Sequence, residues 1–325
     1  MRSRPVLALA LLAACSSPED LAARKRLDAE QERPPAAAFD WTRPEGSLAI
    51  GAEEVAARLG SFEWTATVTW SASQARSEKR VRAVEHHRVR QSAGGELEVE
   101  SEIDPGEGEG SESGKHVIYA GKMTYARSRY APFGGFRERP TDRGRDARRF
   151  RDESFGLAAD LASLCGPALR LEPDGEETFL SRRARRFRLS LQPGKAGVGA
   201  SSRLGAQPPD GGPDEDTRRR LAFLDGRVPT RVEGELLADA ESGAPLRARL
   251  RVAFQVKDEP EMRVEADLAA QMRTLGSAAP PVTAPKGALP DERKPRGVAR
   301  ALEAAGLKKA KETEQRPEEA GEEGE

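Results

Sequence analysis

Apolar and polar residues alternate along many short stretches of this chain. The clearest stretch is 62–70, in which apolar side chains at even positions alternate with glutamate and threonine. Successive side chains of a β-strand point to opposite faces, so the alternation predicts a strand with one apolar and one polar face. Residues 246–256 alternate in the same way, with arginine at three of the polar positions. They predict a second such strand.

Weaker alternation, bounded by turn residues, predicts about nine or ten strands in all. The other predicted strands are 80–90, 96–103, 116–119, 122–129, 168–171, 178–191, 227–237 and 262–268. One segment differs, because apolar residues recur at helical spacing over 150–165 and the helix breakers Gly166 and Pro167 follow them. It predicts a long helix between two sets of strands, and a shorter helix is expected at 53–59.

This order of elements predicts a mainly β fold of the α+β class. We expect two meanders, with one intervening helix, in a curved antiparallel sheet or half-barrel. The apolar face of such a sheet must be covered by closure, by a helix or by a ligand. The side chains expected on that face, either as the lining of a lipid cavity or as plain core, are Phe62, Trp64, Val68, Trp70, Leu250, Val252 and Phe254.

Three segments lack a periodic pattern. Residues 15–51 are rich in proline and charge, 193–217 in glycine and proline, and 277–325 in alanine, proline, lysine and glutamate. Such compositions bury too little apolar surface to offset the entropy of the chain. We therefore expect a flexible tether at 15–51, a β-rich domain at 52–276 with a mobile insertion at 193–217, and a disordered tail at 277–325.

The first 15 residues have the pattern of an export signal. Arg2 and Arg4 precede an uncharged apolar stretch at 6–14, which is too short to span a bilayer core of about 30 Å. The segment Leu12-Ala13-Ala14-Cys15 resembles the lipobox of bacterial lipoproteins. The resemblance implies that a signal peptide, 1–14, is removed and that Cys15 carries a diacylglycerol and a further acyl chain such as palmitate. An ordinary secretory signal is the alternative.

The lipobox resemblance implies a location in the bacterial cell envelope. A single acyl chain binds a membrane only marginally, whereas several chains on Cys15 would hold the protein durably. Ser16 follows the cysteine, where an aspartate would favour retention in the inner membrane of enterobacteria. We therefore expect the periplasmic face of the outer membrane rather than the inner membrane.

A second resemblance concerns the exported domain. The order of its predicted elements is similar to that of the lipoprotein-carrier superfamily of LolA and its LppX/LprG-like relatives. The segment from Asp239 to Leu246 resembles that superfamily's D-x-x-T-G-x-P turn, with Ser242 where threonine is usual, and Ala120 to Tyr125 resembles its glycine-turn hairpin. The resemblance implies a half-barrel that holds lipid or acyl chains on its concave face.

The alternative is an envelope lipoprotein with a filled core and no ligand, which acts through protein partners or as a structural component. The arginine-rich loops depart from the simple carrier pattern, which weakens the expectation of ligand transfer. Arginines cluster at 137–151 and 182–188. They would either contact anionic lipid headgroups, at about 1 kcal/mol per basic residue, or pair with nearby carboxylates on a solvated face.

Composition excludes several functional classes. Lys plus Arg number 53 against 54 Asp plus Glu, so the chain lacks the basic excess that predicts a nucleic-acid partner. With Cys15 lipidated, Cys165 can form no internal disulfide and is expected to be buried. Of the three histidines, His86 and His87 are adjacent on one strand and point to opposite faces, and His116 is distant in sequence. We expect no metal site and no cofactor, and no motif predicts an enzyme.

Overall fold

The structure is a computed structural model of the 325-residue chain. The residues that it describes are 38–74, 80–106, 113–128, 134–192, 222–257 and 259–291. The chain divides into two compact units, 1–289 and 290–325, and the architecture below belongs to the first. The predicted signal peptide with Cys15, the insertion at 193–217 and the tail beyond 291 lie outside the described residues.

Within the described residues, eleven antiparallel strands form one sheet that is not closed. The strands are β1 (Phe62–Gln74), β2 (Arg80–Gln91), β3 (Leu97–Asp104), β4 (Ser113–Ala120), β5 (Met123–Ser128), β6 (Arg137–Arg139), β7 (Leu169–Phe179), β8 (Arg182–Leu191), β9 (Arg227–Asp239), β10 (Pro245–Val256) and β11 (Glu259–Leu275). The α-helices of eight or more described residues are α1 (Ala52–Leu59), α2 (Arg145–Phe155) and α3 (Leu157–Cys165), and residues 222–226 form a further helical turn.

The strand order is β6-β5-β4-β3-β2-β1-β11-β10-β9-β8-β7. Strands β1–β6 are one meander and β7–β11 are another, and the pairing of β1 with β11 joins them. This order confirms the predicted fold of two meanders separated by helix. The predicted single helix is two helices, which meet at Gly156. A Cβ there would lie 2.7 Å from the Asp152 carbonyl oxygen, so the junction requires glycine.

The core lies between the helices and one face of the sheet, which we call the inner face. Along β1, alternate side chains from Phe62 to Val68 are buried and those between them are half-buried. Phe155, at the end of α2, packs on Phe62 and Trp64 with ring centroids 5.8 and 4.8 Å apart. Leu161 of α3 is also buried. Aromatic side chains bury large apolar areas, so this contact helps to hold the helices on the sheet.

Residues 38–51 pack on the sheet, although the sequence predicted that they belong to the tether. The Trp41 ring stacks on Phe187 at 5.6 Å, and its indole N–H donates to the Ala240 carbonyl at 3.0 Å. Ile50 is buried. Two aromatic residues among prolines and charges produce no period, so the pattern could not reveal these long-range contacts. The folded part therefore begins before the predicted boundary at residue 52.

The chain after β11 is also ordered further than predicted. The expected tail begins at 277, but the Leu289 N–H donates to the Phe136 carbonyl at 2.8 Å and the Glu138 N–H donates to the Leu289 carbonyl at 2.9 Å. Strand β6 itself lies in a segment without a predicted strand. Leu289 supplies partners to an edge strand that would otherwise expose them, which limits pairing with other chains.

The turn between β9 and β10 is held by the carboxylate of Asp239. Its Oδ2 accepts hydrogen bonds from the N–H and hydroxyl of Ser242 at 2.9 and 2.6 Å, and Arg182 donates to its Oδ1 at 2.5 Å. Burial alone would raise the pKa of Asp239. The hydrogen bonds from Arg182 and Ser242 and the charge of Arg182 outweigh burial, so the pKa lies below its ordinary value.

We expect Phe155→Ala to lower the free energy of unfolding by about 3–5 kcal/mol, because it leaves a cavity between α2 and the sheet. Urea unfolding at constant m-value measures the loss. Leu180→Ala is the control, since this exposed side chain should contribute no more than about 0.5 kcal/mol. Equal losses in the two variants would show that α2 is not packed on Trp64.

Asp239→Asn should destabilise the protein by about 1.5–3 kcal/mol near neutral pH, because it removes charge-assisted hydrogen bonds from a buried site. The folded-state pKa of Asp239 is lowered. The stabilisation by its carboxylate is therefore complete above the unfolded-state pKa of about 3.9 and is lost as the pH falls through the folded-state value.

Urea unfolding between neutral pH and acid should thus show a constant difference between wild type and Asp239→Asn that narrows only below about pH 4. Glu241→Gln, which changes an exposed carboxylate in the same turn, is the control and should not reproduce this profile. A difference that persists unchanged into strong acid would contradict the role given to the carboxylate.

Candidate functional site

The side chains predicted to line an apolar face all lie on the inner face of the sheet. Six of them belong to the core and are at most 3% exposed, namely Phe62, Trp64, Val68, Leu250, Val252 and Phe254. Trp70 is half-buried and packs against that core. The structure therefore brings the predicted residues together, and it fills the space over most of them with protein side chains.

Burial of the inner face becomes incomplete beyond Val68. Trp70 pairs with Ala83 on β2 and with Ala266 on β11. We call the half-buried apolar side chains of this region the apolar strip, and they are Trp70, Ala72, Val81, Ala83, Met262 and Val264. The pairing registers place all six on the inner face, at the ends of the strands remote from α1.

The apolar strip is continuous with the core. Val252 and Phe254 of β10 pair with Ala266 and Val264 of β11, and both are fully buried. Ile103, on the inner face of β3, is 36% exposed and lies beyond Glu85 from the strip. A contiguous apolar surface that remains half-open is the kind of surface that an apolar ligand or partner covers.

A polar relay crosses the inner face beside the apolar strip. His87 Nδ1 lies 2.9 Å from Ser154 Oγ, and His87 Nε2 lies 3.2 Å from Glu85 Oε2. These residue types occur in nucleophilic triads. Ser154 is only 2% exposed, and the backbone N–H groups beside it belong to α2 and are committed to helix hydrogen bonds. The relay therefore fits a link between α2 and β2 better than a catalytic site.

Three side chains of metal-ligand type meet on the outer face. Ligand atoms of Glu98, Glu100 and His116 all lie within 4.8 Å of one another. His116 Nε2 is 2.6 Å from Glu98, while Arg90 and Arg88 contact Glu98 and Glu100 at 2.6 and 2.8 Å. A cation would have to displace two guanidinium groups that already neutralise both carboxylates. The cluster therefore fits an ion-pair network better than a metal centre.

The neighbouring side chains lower the pKa of Glu98 despite its burial. Burial alone would raise the pKa of Glu98, but the hydrogen bond from His116 and the charges of Arg90, His116 and Arg88 outweigh it, and the pKa lies below its ordinary value. His86 and His87 do not join His116, because His86 contacts Thr67 on the outer face and His87 points to the inner face. No prediction of a metal follows from the histidines.

The arginine clusters of the sequence are largely paired with carboxylates. Such pairs join Arg139 and Arg149 to Asp146, Arg182 to Asp239, Arg183 and Arg185 to Glu176, and Arg186 and Arg188 to Asp174. Exposed pairs contribute about 0–1 kcal/mol each. This arrangement corresponds to the predicted solvated face rather than to a surface of free cations.

Cys165 is buried, as the sequence predicted. Its thiol lies 3.4 Å from the Leu161 carbonyl, and burial raises its pKa to about 12. The buried Arg227 donates to the carbonyls of Leu164 and Leu224 and so stabilises the C-terminal end of α3. A thiol with so high a pKa is protonated at neutral pH and is a poor nucleophile.

A cleft of about 670 Å³ opens between α1, the β2–β3 turn and α2. Its lining includes Leu97, Tyr119, Arg148 and Arg151. No local pattern predicts it, because the residues come from two helices, three strands and the β2–β3 turn. One feature of the sequence nevertheless indicates that Arg151 lies on the buried side of α2. Helical spacing places Arg151 on the same stripe of α2 as the buried Ala147 and Phe155.

A second cleft, of about 470 Å³, lies beside the β9–β10 turn. Its two central charged groups, Arg182 and Asp239, bind each other. Because these two charged groups already bind each other, the second cleft offers a ligand fewer available charged groups than the first cleft.

In the part of the chain that the structure describes, no helix has the length and apolar character needed to cross a membrane.

Comparison with known proteins identifies no family for this chain. No family model matches it, and no curated protein is significantly similar in sequence.

Three solved structures have partial similarity. A DUF1329 family protein from Desulfovibrio piger has 8% identity and a TM-score of 0.22 over 66% of this chain and 86% of that chain. A putative outer membrane lipoprotein-sorting protein domain from Vibrio parahaemolyticus has 11% identity and a TM-score of 0.20 over 71% and 94%. A β-barrel-like DUF1849 protein from Brucella abortus has 10% identity and a TM-score of 0.17 over 65% and 98%. TM-scores of this size do not establish a shared fold, and no function is carried over from these proteins.

Proposed function

We propose that this protein is a lipid-anchored, non-enzymatic component of the bacterial cell envelope that holds an acyl chain on the apolar strip. The observation that carries the proposal is the incomplete burial of the inner face between Trp70 and Val264, next to a core that is otherwise filled. The occupant would extend the core rather than enter a preformed cavity beneath α2 and α3.

The chemistry of the apolar strip suits an acyl chain. Each methylene of a chain gains about 0.8 kcal/mol when it leaves water, so contact along a few strands yields useful affinity. Trp70 provides a broad flat surface, and Met262 provides an unbranched, adaptable one. Because every member of the strip is apolar, the site would select ligands by their shape and apolar character and not by hydrogen bonding.

The anchor is the second part of the proposal. Arg2 and Arg4, the apolar stretch at 6–14 and the lipobox-like segment that ends at Cys15 together support export and lipidation. Several acyl chains on one cysteine would hold the domain at a membrane durably. We assign it to the periplasmic face of the outer membrane. The contact of the buried Ser154 with the half-buried His87 and Glu85 supports a structural rather than a catalytic role.

The apolar strip is tested by placing a charge on it. Titration of the mature chain with a neutral monoacylglycerol should show saturable binding, and Ala83→Glu should weaken it by about tenfold or more, which is about 1.4 kcal/mol. Val84→Glu is the matched control, because the next residue of β2 points to the outer face. Circular dichroism checks that both variants remain folded.

Absence of binding by the wild type, or equal binding by Ala83→Glu and wild type, would reject the apolar strip as the site. The filled-core alternative, an envelope protein that acts through protein partners, would then remain.

The anchor is tested in cells. Full-length protein expressed in a bacterium should partition into the detergent phase, and Cys15→Ala should move it to the aqueous phase, because acyl chains supply the membrane affinity. Cys165→Ala is the control and should partition like the wild type. Detergent partitioning that survives Cys15→Ala would show that the lipobox is not the anchor.

A further inference from the structure

We propose that the cleft between α1, the β2–β3 turn and α2 is a binding site for a phosphate group, held by Arg148 and Arg151. This site is separate from the apolar strip and does not rest on the acyl-chain proposal. Its volume of about 670 Å³ falls within the range of about 300–1,000 Å³ that is usual for small-molecule sites.

Arg151 is the principal group. It is only 4% exposed, and its Nη1 donates to Oε1 of Gln91, which is equally buried, at 3.2 Å. The carboxylates near it belong to Glu53 at 3.4 Å and Asp152 at 2.8 Å, and their side chains are 80% and 59% exposed. A buried guanidinium normally needs a buried anion to compensate its desolvation. Here the compensation comes from solvated side chains that a ligand can replace.

Arg148 lies one turn before Arg151, on the same side of α2. Its guanidinium lies 5.6 Å from the centre of the Tyr119 ring and donates to the Arg143 carbonyl at 2.8 Å. These described partners are neutral, so they leave its positive charge uncompensated. Two guanidinium groups at this spacing can share the several oxygens of a phosphate group, which offers more acceptors than a carboxylate.

The opposite wall leaves room for the rest of a ligand. Gly95 of the β2–β3 turn has φ +89°, and no atom lies within 4 Å of the place where a Cβ would project. The half-buried Tyr119 ring provides apolar surface beside the arginines. The cleft therefore fits a phosphate ester, whose organic part contacts Tyr119. A lipid headgroup and a soluble phosphate are the two sources of that chemistry.

The third arginine of the cleft is already engaged. Arg58 donates to Glu54 of the same helix and to the Ser242 carbonyl, and the second contact fixes α1 against the β9–β10 turn. We therefore assign it a supporting role at the rim. The phosphate group is therefore recognised by the two arginines of α2 alone.

The experiment titrates the mature chain calorimetrically with inorganic phosphate, with dihexanoyl phosphatidic acid and with dihexanoyl phosphatidylcholine. We expect saturable binding of phosphatidic acid, weaker or no binding of phosphatidylcholine, and a loss of about tenfold or more in Arg148→Gln, which is about 1.4 kcal/mol. Arg145→Gln is the matched control. It removes one charge from the same helix at a side chain that is 83% exposed, and should change the affinity by less than about twofold.

Arg151→Lys provides a second variant, since it keeps the buried charge but loses the two-pronged contact. It should weaken binding in a protein that remains folded. If inorganic phosphate binds as tightly as phosphatidic acid, the ligand of the cleft is a soluble phosphate. If phosphatidic acid binds much more tightly than inorganic phosphate, the ligand is a lipid headgroup.

No saturable binding of either phosphate probe, or equal losses in Arg145→Gln and Arg148→Gln, would overturn the proposal. The phosphate-site proposal and the acyl-chain proposal can be rejected independently of each other. Ala83→Glu should leave phosphate binding unchanged, and Arg148→Gln should leave monoacylglycerol binding unchanged.

Discussion

Strands β1 and β11 pair along thirteen residue positions, from Phe62 with Leu275 to Gln74 with Met262. This seam joins the two meanders, and it brings together segments that lie about as far apart in the domain as the chain allows. Loop-closure entropy must be overcome before such a contact stabilises anything. The core between the sheet and its helices includes side chains of both β1 and β11, so the complete core requires the seam.

The sequence predicts the strands well because alternation is a local property. The strands around Trp64 and Leu250 are evident from their own residues. The packing of 38–51 and the edge pairing of Leu289 are not, because their partners lie roughly two hundred and one hundred and fifty residues away. Alternation also identifies the inner face of β1 without indicating that helices would cover Trp64 and leave Trp70 half-open.

Helix α2 determines how the inner face is divided. It is tied to β2 by two polar contacts, Arg151 with Gln91 and Ser154 with His87. Polar contacts in a low-dielectric interior fix one register, because any shift would leave buried groups without partners. The fixed position of α2 produces both candidate sites. The cleft lies near the Gln91 end of β2, and the apolar strip lies near the Val81 end.

The packing of 38–51 has a mechanical consequence under the proposed anchor. Among the described residues, this segment is the first that a pull from a membrane-bound Cys15 would reach. The load then passes through the Trp41 indole and through Ser47, which donates to the Gly243 carbonyl at 2.5 Å. Both contacts end on the β9–β10 turn, where the Asp239 carboxylate clamps the backbone. Tension would therefore strain that turn before it reached α1, the cleft or the apolar strip.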